Sequence, residues 1–562
     1  MSLGTELQRH AGYAARGLLA MSLLGAGCTA NIGGDAHGQG DGPDSGAAPV
    51  PASGGAGSLA SGASAPMGET VLHRLNHVEL RNTVRQLFGE SATAALRDSV
   101  DPRVQGFDSN ADALTVSESG VDSLMRMAGE IAAGLDLPAA LPCGALAGRA
   151  CAEQRFSIMA PRLLRRPPLP AETQSYLALW DEVVSRTNED TATRALLQRL
   201  LMAPEFLYHV QVGDAEGLLN GYELAARLAF FAVESTPDDA LLQAAGSGAL
   251  DTASGLQAAL ERLLEDSRGQ AAFLRFFEQW AELDKLGAAV KEPAVYPEFD
   301  ALKAPMAEEF RRFVADLLGR DGTVKELFTS PTTFVNEGLA VLYGVSAPVA
   351  GFQSVSLPAG QRAGILTQTA FLASHGKANK SAPILRGRFI REQVLCAPVP
   401  PPPPNANTVE ANAQVPSTTR EYYAQLTSGP DCIGCHAQLN PLGFALEGFD
   451  GIGRARAQEN AQPVDTSGAI TAGDLAGPVS GAFELSARLG ESATVRLCLA
   501  KQMFRSRFRR VEVGGDEALI QSVADALRGE GDRIKGLARL WAGQAAMRRR
   551  HFRVQLPTEG SQ

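Results

Sequence analysis

No run of apolar residues in this 562-residue chain reaches the roughly 20 needed to cross a bilayer as a helix, and aromatic residues make up only 6% of it. Positive charge is in deficit as well. Lys and Arg number 51 against 62 Asp and Glu, a formal net charge of −11. That balance argues against a nucleic-acid partner and for a solvated surface. No nucleophile elbow, phosphate-binding loop, H-E-x-x-H motif or dinucleotide fingerprint occurs. Cysteine and histidine are scarce, at seven and eight residues, so chance rarely sets them side by side.

They do stand side by side once, in Asp431-Cys432-Ile433-Gly434-Cys435-His436. C-x-x-C-H is the spacing of covalent c-type heme attachment. Two thiols three residues apart add to the two vinyl groups of one porphyrin, and the adjacent histidine becomes the proximal iron ligand. A redox dithiol and half of a zinc site are the rival readings. The first expects a βαβ setting, and the second a further pair of ligands at short spacing, which does not follow. Met503 and His375 are the candidates for the sixth iron ligand. Against this, Met503 reads equally as a core filler and His375 as a helix cap. His73 and His77, four residues apart, read better as surface or capping residues than as a metal pair. After the motif, Gly443, Phe444, Leu446 and Phe449 are apolar enough to pack on a porphyrin. Pro441 is expected to free a carbonyl for the His436 Nδ1–H. Asp450 and Arg454 are expected to pair with each other or with a propionate.

The N-terminus carries Arg9, His10 and Arg16, then an apolar stretch from Gly17 to Leu24, then Gly25-Ala26-Gly27-Cys28. This is the three-part form of an export signal, and the small residues before Cys28 point to lipidation of that cysteine. The alternative is ordinary cleavage with Cys28 removed or free. In an oxidising compartment Cys143 is expected to pair with Cys151, and Cys396 with Cys498, each contributing roughly 2–4 kcal/mol. The alternative is four buried free thiols.

Helical periodicity dominates the remainder and strands are scarce, which predicts a mainly α, multidomain protein with a C-terminal cytochrome c-like heme domain. Asn76 and Glu79 form a capping box, Gly89 ends that helix, and Thr236-Pro237-Asp238-Asp239 starts another rather than supplying catalytic acids. Further helical segments surround Phe273–Trp280, Met306–Leu318 and Phe334–Leu342. Expected boundaries are a signal peptide at 1–28 and a Gly/Ala/Ser/Pro linker at 29–69. Helical domains follow at 70–142, 143–215 and 216–350, then a heme domain at 351–485 and a closing helical domain at 486–562. Pro400 to Pro404 read as a stiff polyproline spacer.

Beyond the linker, the chain resembles a family of multidomain cytochrome c-like exported proteins known mainly from planctomycetes and myxobacteria. The resemblance runs in order. It begins with Arg74-Leu75-Asn76 through Gly89, then Cys151-Ala152 with Arg165-Arg166-Pro167, then Glu223 to Leu228 with Pro237-Asp238-Asp239. Arg362 to Leu366, Arg386-Gly387, and the block from Cys432 to Arg454 continue it, and the segment from Cys498 closes it. This chain departs from the family at Val233-Glu234, where Leu-Trp is usual, and at Met503. The resemblance implies heme c in an exported protein and names no reaction. The expectation is an outer-membrane lipoprotein at the periplasm or cell surface, carrying single electrons to or from a redox partner protein. A heme-dependent oxidoreductase with a pocket in the helical region is the alternative. A non-heme surface scaffold or glycan-binding lipoprotein, with Cys432 and Cys435 disulfide-linked, is the third reading.

Overall fold

Side-chain caps open about half of the described α-helices. Asn76 Oδ1 accepts from the Glu79 amide (2.8 Å) while Glu79 reaches back to the Asn76 amide (3.0 Å), opening the helix His77–Phe88. Gly89, at φ 87°, stops it. Asp238 caps Asp239–Gly246 by accepting from the Leu241 amide (2.9 Å), so the Asp238-Asp239 pair is a helix start. Both carboxylates are then neutralised, Asp238 by Arg262 and Asp239 by Arg162.

The structure is a computed structural model that describes residues 68–358, 360, 362–400 and 418–550. The expected export signal with Cys28, the expected linker up to residue 67, and prolines 401–404 lie outside the described residues. Those described are predominantly helical, as the periodicity predicts. Among the described residues three short antiparallel strand pairs interrupt the helices: Thr332–Val335 with Gln353–Ser356, Gln458–Glu459 with Gln462–Pro463, and Ser467–Ile470 with Gly477–Ser480. The helix expected over Phe334–Leu342 is therefore half right. Phe334 belongs to a strand, and Asn336 caps a separate helix, Glu337–Tyr343. No described helix is long and apolar enough to cross a membrane.

Two apolar cores organise these elements. Residues from Leu75 to Leu207, with Phe230, close around the first. Phe107 and residues from Ala225 to Met547 close around the second. The Glu79–Arg509 ion pair joins the two segments, and a second buried charge cluster lies within the latter. Glu234, in the left-handed conformation at φ 49°, ends helix Gly221–Val233 and receives Arg275 (3.1 Å) and Arg507 (2.8 Å). The departure from Leu-Trp at Val233-Glu234 thus supplies a buried anion for two arginines. Both expected disulfides form, Cys143–Cys151 and Cys396–Cys498, the second spanning 102 residues of sequence.

Candidate functional site

Pro430, in the first turn, starts the helix Pro430–Phe444, which carries the whole C-x-x-C-H motif. Residues at i, i+3 and i+4 share a helix face, so Cys432, Cys435 and His436 emerge on one side. All three are half-buried. Both thiols are free, whereas Cys143, Cys151, Cys396 and Cys498 are all paired. The Cys432–Cys435 disulfide of the scaffold reading is not formed.

Further along, the C-terminal half of this helix is seated on backbone. Gly443 meets the Pro383 carbonyl and Gly387 meets the Leu439 carbonyl so closely that a Cβ at either would collide. Helices Pro383–Phe389 and Pro430–Phe444 therefore pack at the closest approach two backbones allow. Beyond the helix end, fully buried Arg386 donates to the carbonyls of Leu446 (3.0 Å), Phe449 (2.9 Å) and Asp450 (2.6 Å). Burial pushes this guanidinium down to about 10, still charged at neutral pH. Burial also pushes the Glu447 carboxyl up, against the pull of Arg386 and Arg456, while Arg456 (3.0 Å) and Ser381 (2.9 Å) donate to it.

A relay of hydrogen bonds sets the state of His436. Thr427 Oγ1 donates its proton to the Tyr423 carbonyl (2.7 Å), so that oxygen accepts from Asn440 Nδ2 (2.8 Å). With its nitrogen thus committed, the Asn440 amide turns Oδ1 toward His436 Nδ1 (3.2 Å). The imidazole is then protonated at Nδ1 and carries its lone pair on Nε2. That is the tautomer of a histidine that binds metal through Nε2 with its other nitrogen hydrogen-bonded. Asn440, not a carbonyl freed by Pro441, is the partner. An Asn four residues after the motif histidine on the same helix was the signal available in sequence.

The residues fit a covalently attached heme. Among the described residues no three His, Cys, Asp or Glu side chains converge on a point, so zinc finds no complete ligand set. A porphyrin asks for no such convergence, because each thiol meets its own vinyl group and only the imidazole meets the iron.

The expected sixth ligands are elsewhere engaged. Met503 is fully buried in the second core on helix Ala493–Arg507, which packs chiefly on Glu517–Leu527. His375 is buried with both nitrogens used, Nδ1 on the Phe371 carbonyl (3.0 Å) and Nε2 on Glu282 (2.9 Å). Its ring lies against Phe371 and Phe389. Glu282 is held down at about 2, with His375 and Lys285 stabilising the carboxylate against its burial. Gly443, Phe444, Leu446 and Phe449 do not wait for a porphyrin either. Leu446 and Phe449 are core residues, and Phe444 lies under the Arg420 guanidinium. Arg454 pairs with Glu298 and, at 3.5 Å, with Asp450.

His73 and His77 do not share a helix face, because His73 precedes the cap. It stacks on His209 with ring centroids 4.5 Å apart, while His77 bonds Arg81 (3.2 Å) and Ser99 (3.0 Å).

Four family models match the chain in series: PSD3 (DUF1587) at 73–136, PSD5 (DUF1595) at 151–211, PSD4 (DUF1592) at 219–345 and PSCyt3 (DUF1588) at 362–459. Each is described as a protein of unknown function. The series makes the chain similar to multidomain cytochrome c-like proteins of the planctomycete type, and Cys432–His436 falls inside the PSCyt3 match. The segment from Cys498 onward lies beyond the four. No curated protein and no solved structure matches the chain.

Proposed function

We propose that this chain is an exported, lipid-anchored c-type heme protein that passes single electrons to or from a redox partner protein. One observation carries the reading: His436 Nδ1 faces the Asn440 Oδ1 acceptor (3.2 Å) beside two free thiols on the same helix face. Heme, when bound, supplies a one-electron couple whose potential follows its axial ligands and surroundings. The chain presents Cys432 and Cys435 for thioether formation, aims Nε2 of His436, and seats the motif helix on backbone through Gly387 and Gly443. The PSCyt3 match over the motif supports the same reading. The two disulfides fit an oxidising compartment. With the N-terminal pattern ending at Cys28, they favour an outer-membrane lipoprotein facing the periplasm or the cell surface.

A heme-dependent oxidoreductase is the second reading. The engagement of Met503 and His375 elsewhere favours it, because neither closes the position at which a small molecule would bind.

The test is a pyridine hemochrome spectrum of denatured protein expressed with c-type maturation machinery. A c-type band that disappears in Cys432→Ala/Cys435→Ala is expected. No band, with a control cytochrome matured in the same cells, would overturn the reading. Stoichiometric carbon monoxide binding by the reduced protein would select the oxidoreductase. Intact mass of the exported protein should show a diacylglyceryl adduct that Cys28→Ala removes.

A further inference from the structure

A cavity of about 320 Å3 opens in the N-terminal region, between helix His77–Phe88, the turn Glu90–Ala95 and helix Glu118–Gly134. We propose that it binds a small amphiphilic monocarboxylate, with a carboxylate head and an apolar body of roughly six to ten carbons. The site lies outside the heme motif, and the proposal does not depend on the heme reading.

The inner wall is apolar. Leu80, Leu96, Leu124 and Met127 line it, and Leu80 and Met127 belong to the first core. An alkyl or aryl body placed there leaves water for a surface already formed. The mouth is the reverse in polarity. In a chain of net charge −11, no Asp or Glu lines this cavity, whereas Arg74, His77 and Arg97 do. The nearby acids are already engaged, Asp98 by Arg81 (2.8 Å) and Asp101 by Arg74 (2.6 Å) and the His77 amide (2.5 Å). Arg74 is thereby largely spent, and the His77 ring is taken by Arg81 (3.2 Å) and Ser99 (3.0 Å). Arg97 is not, since it is exposed and makes no ion pair or hydrogen bond among the described residues.

Hydroxyl and amide donors complete the mouth. Ser99, Ser117, Ser119 and Ser123 line it, three of them from the start of helix Glu118–Gly134. Ser117 Oγ caps only the Gly120 amide (3.2 Å), which leaves the Glu118 and Ser119 amides open at the positive end of a 17-residue helix. A free guanidinium, open amides and serine hydroxyls beside an apolar chamber suit one anionic oxygen pair on an apolar body. They do not suit a cation of the same shape, which would meet Arg97.

Isothermal titration of the full chain with octanoate tests this, with octan-1-ol and octylammonium as controls. One octanoate per chain is expected, weakened at least tenfold by Arg97→Gln. Ser123→Phe should abolish binding by filling the chamber. Ser119→Trp, at an exposed rim position, should do so by closing the mouth with the unfolding midpoint unchanged. Absence of saturable octanoate binding would overturn the proposal. So would equal binding of octan-1-ol or octylammonium, or unchanged octanoate binding in a folded Ser119→Trp variant.

Discussion

At His436 the position of one proton rests on a hydroxyl two side chains away. Thr427 can only accept from Asn440, and Asn440 therefore can only accept from the ring. Asn440→Ala removes that constraint, and an isolated imidazole prefers its proton on Nε2. Nitrogen-15 correlation spectra of the heme-free protein should show His436 as the Nδ1–H tautomer, shifting toward Nε2–H in Asn440→Ala. The substitution should also cost about 1 kcal/mol of stability. A second proton matters at His73, whose Nδ1–H bonds the Val71 carbonyl (2.9 Å) and whose buried Nε2 has no partner. Burial first, then Arg509, holds this ring down to about 4 from 6.5. The unfolded chain therefore binds a proton that the folded chain refuses between these values, so stability is full above pH 6.5 and falls as pH drops toward 4. The loss is about 3 kcal/mol from this ring alone. Urea midpoints at pH 7.5 and 5 should separate in the native chain and draw together in His73→Phe, which keeps the stacking and removes the titration.

The motif helix is held as an element by what its glycines omit. Gly443 and Gly387 form reciprocal contacts, each facing the other helix's carbonyl. Gly443→Ala is expected to push the helices apart at a cost of about 1–3 kcal/mol. Urea denaturation should register that loss, and the yield of covalent heme from matured cultures should fall with it. The same packing explains why Leu446 and Phe449, apolar enough for a porphyrin, are spent on the core. An apolar side chain next to a motif reads identically whether it faces a cofactor or the core. Only the direction in which the chain leaves the helix separates them, and Arg386 sets that direction by holding the carbonyls of residues 446, 449 and 450.

Across the whole molecule, contacts between residues hundreds apart join the two cores. Glu79, within the first core's segment, accepts from Arg509 and, at 3.0 Å, from His209. Arg227 binds the Ala546 carbonyl (2.8 Å), tying a helix of the second core to the end of the described chain. Cys396–Cys498 encloses the entire motif segment in a loop of 102 residues. Replacing both cysteines by alanine should destabilise the chain by about 2–4 kcal/mol through the entropy of the unfolded loop, measured by urea denaturation of heme-free protein.

Local chemistry was legible in the sequence wherever residues a few positions apart decide the outcome. The capping box at Asn76 and Glu79, the stop at Gly89, the start at Asp238 and the shared face of Cys432, Cys435 and His436 all follow from helical spacing. Even there the reading was partial. Glu79 is legible as a cap but not as the partner of Arg509, and Phe334 precedes by three residues the helix that its apolar spacing suggests. Met503 and His375 illustrate the remainder. Each had a side chain suited to iron, but burial and hydrogen bonding to residues such as Glu282, 93 positions away, had already committed them. Sequence alone therefore determined the helices, the disulfide-competent cysteines and the C-x-x-C-H spacing, because those depend on short-range geometry and residue chemistry. Tertiary structure alone decided which polar and apolar side chains remained available, because availability is what is left after distant segments have packed.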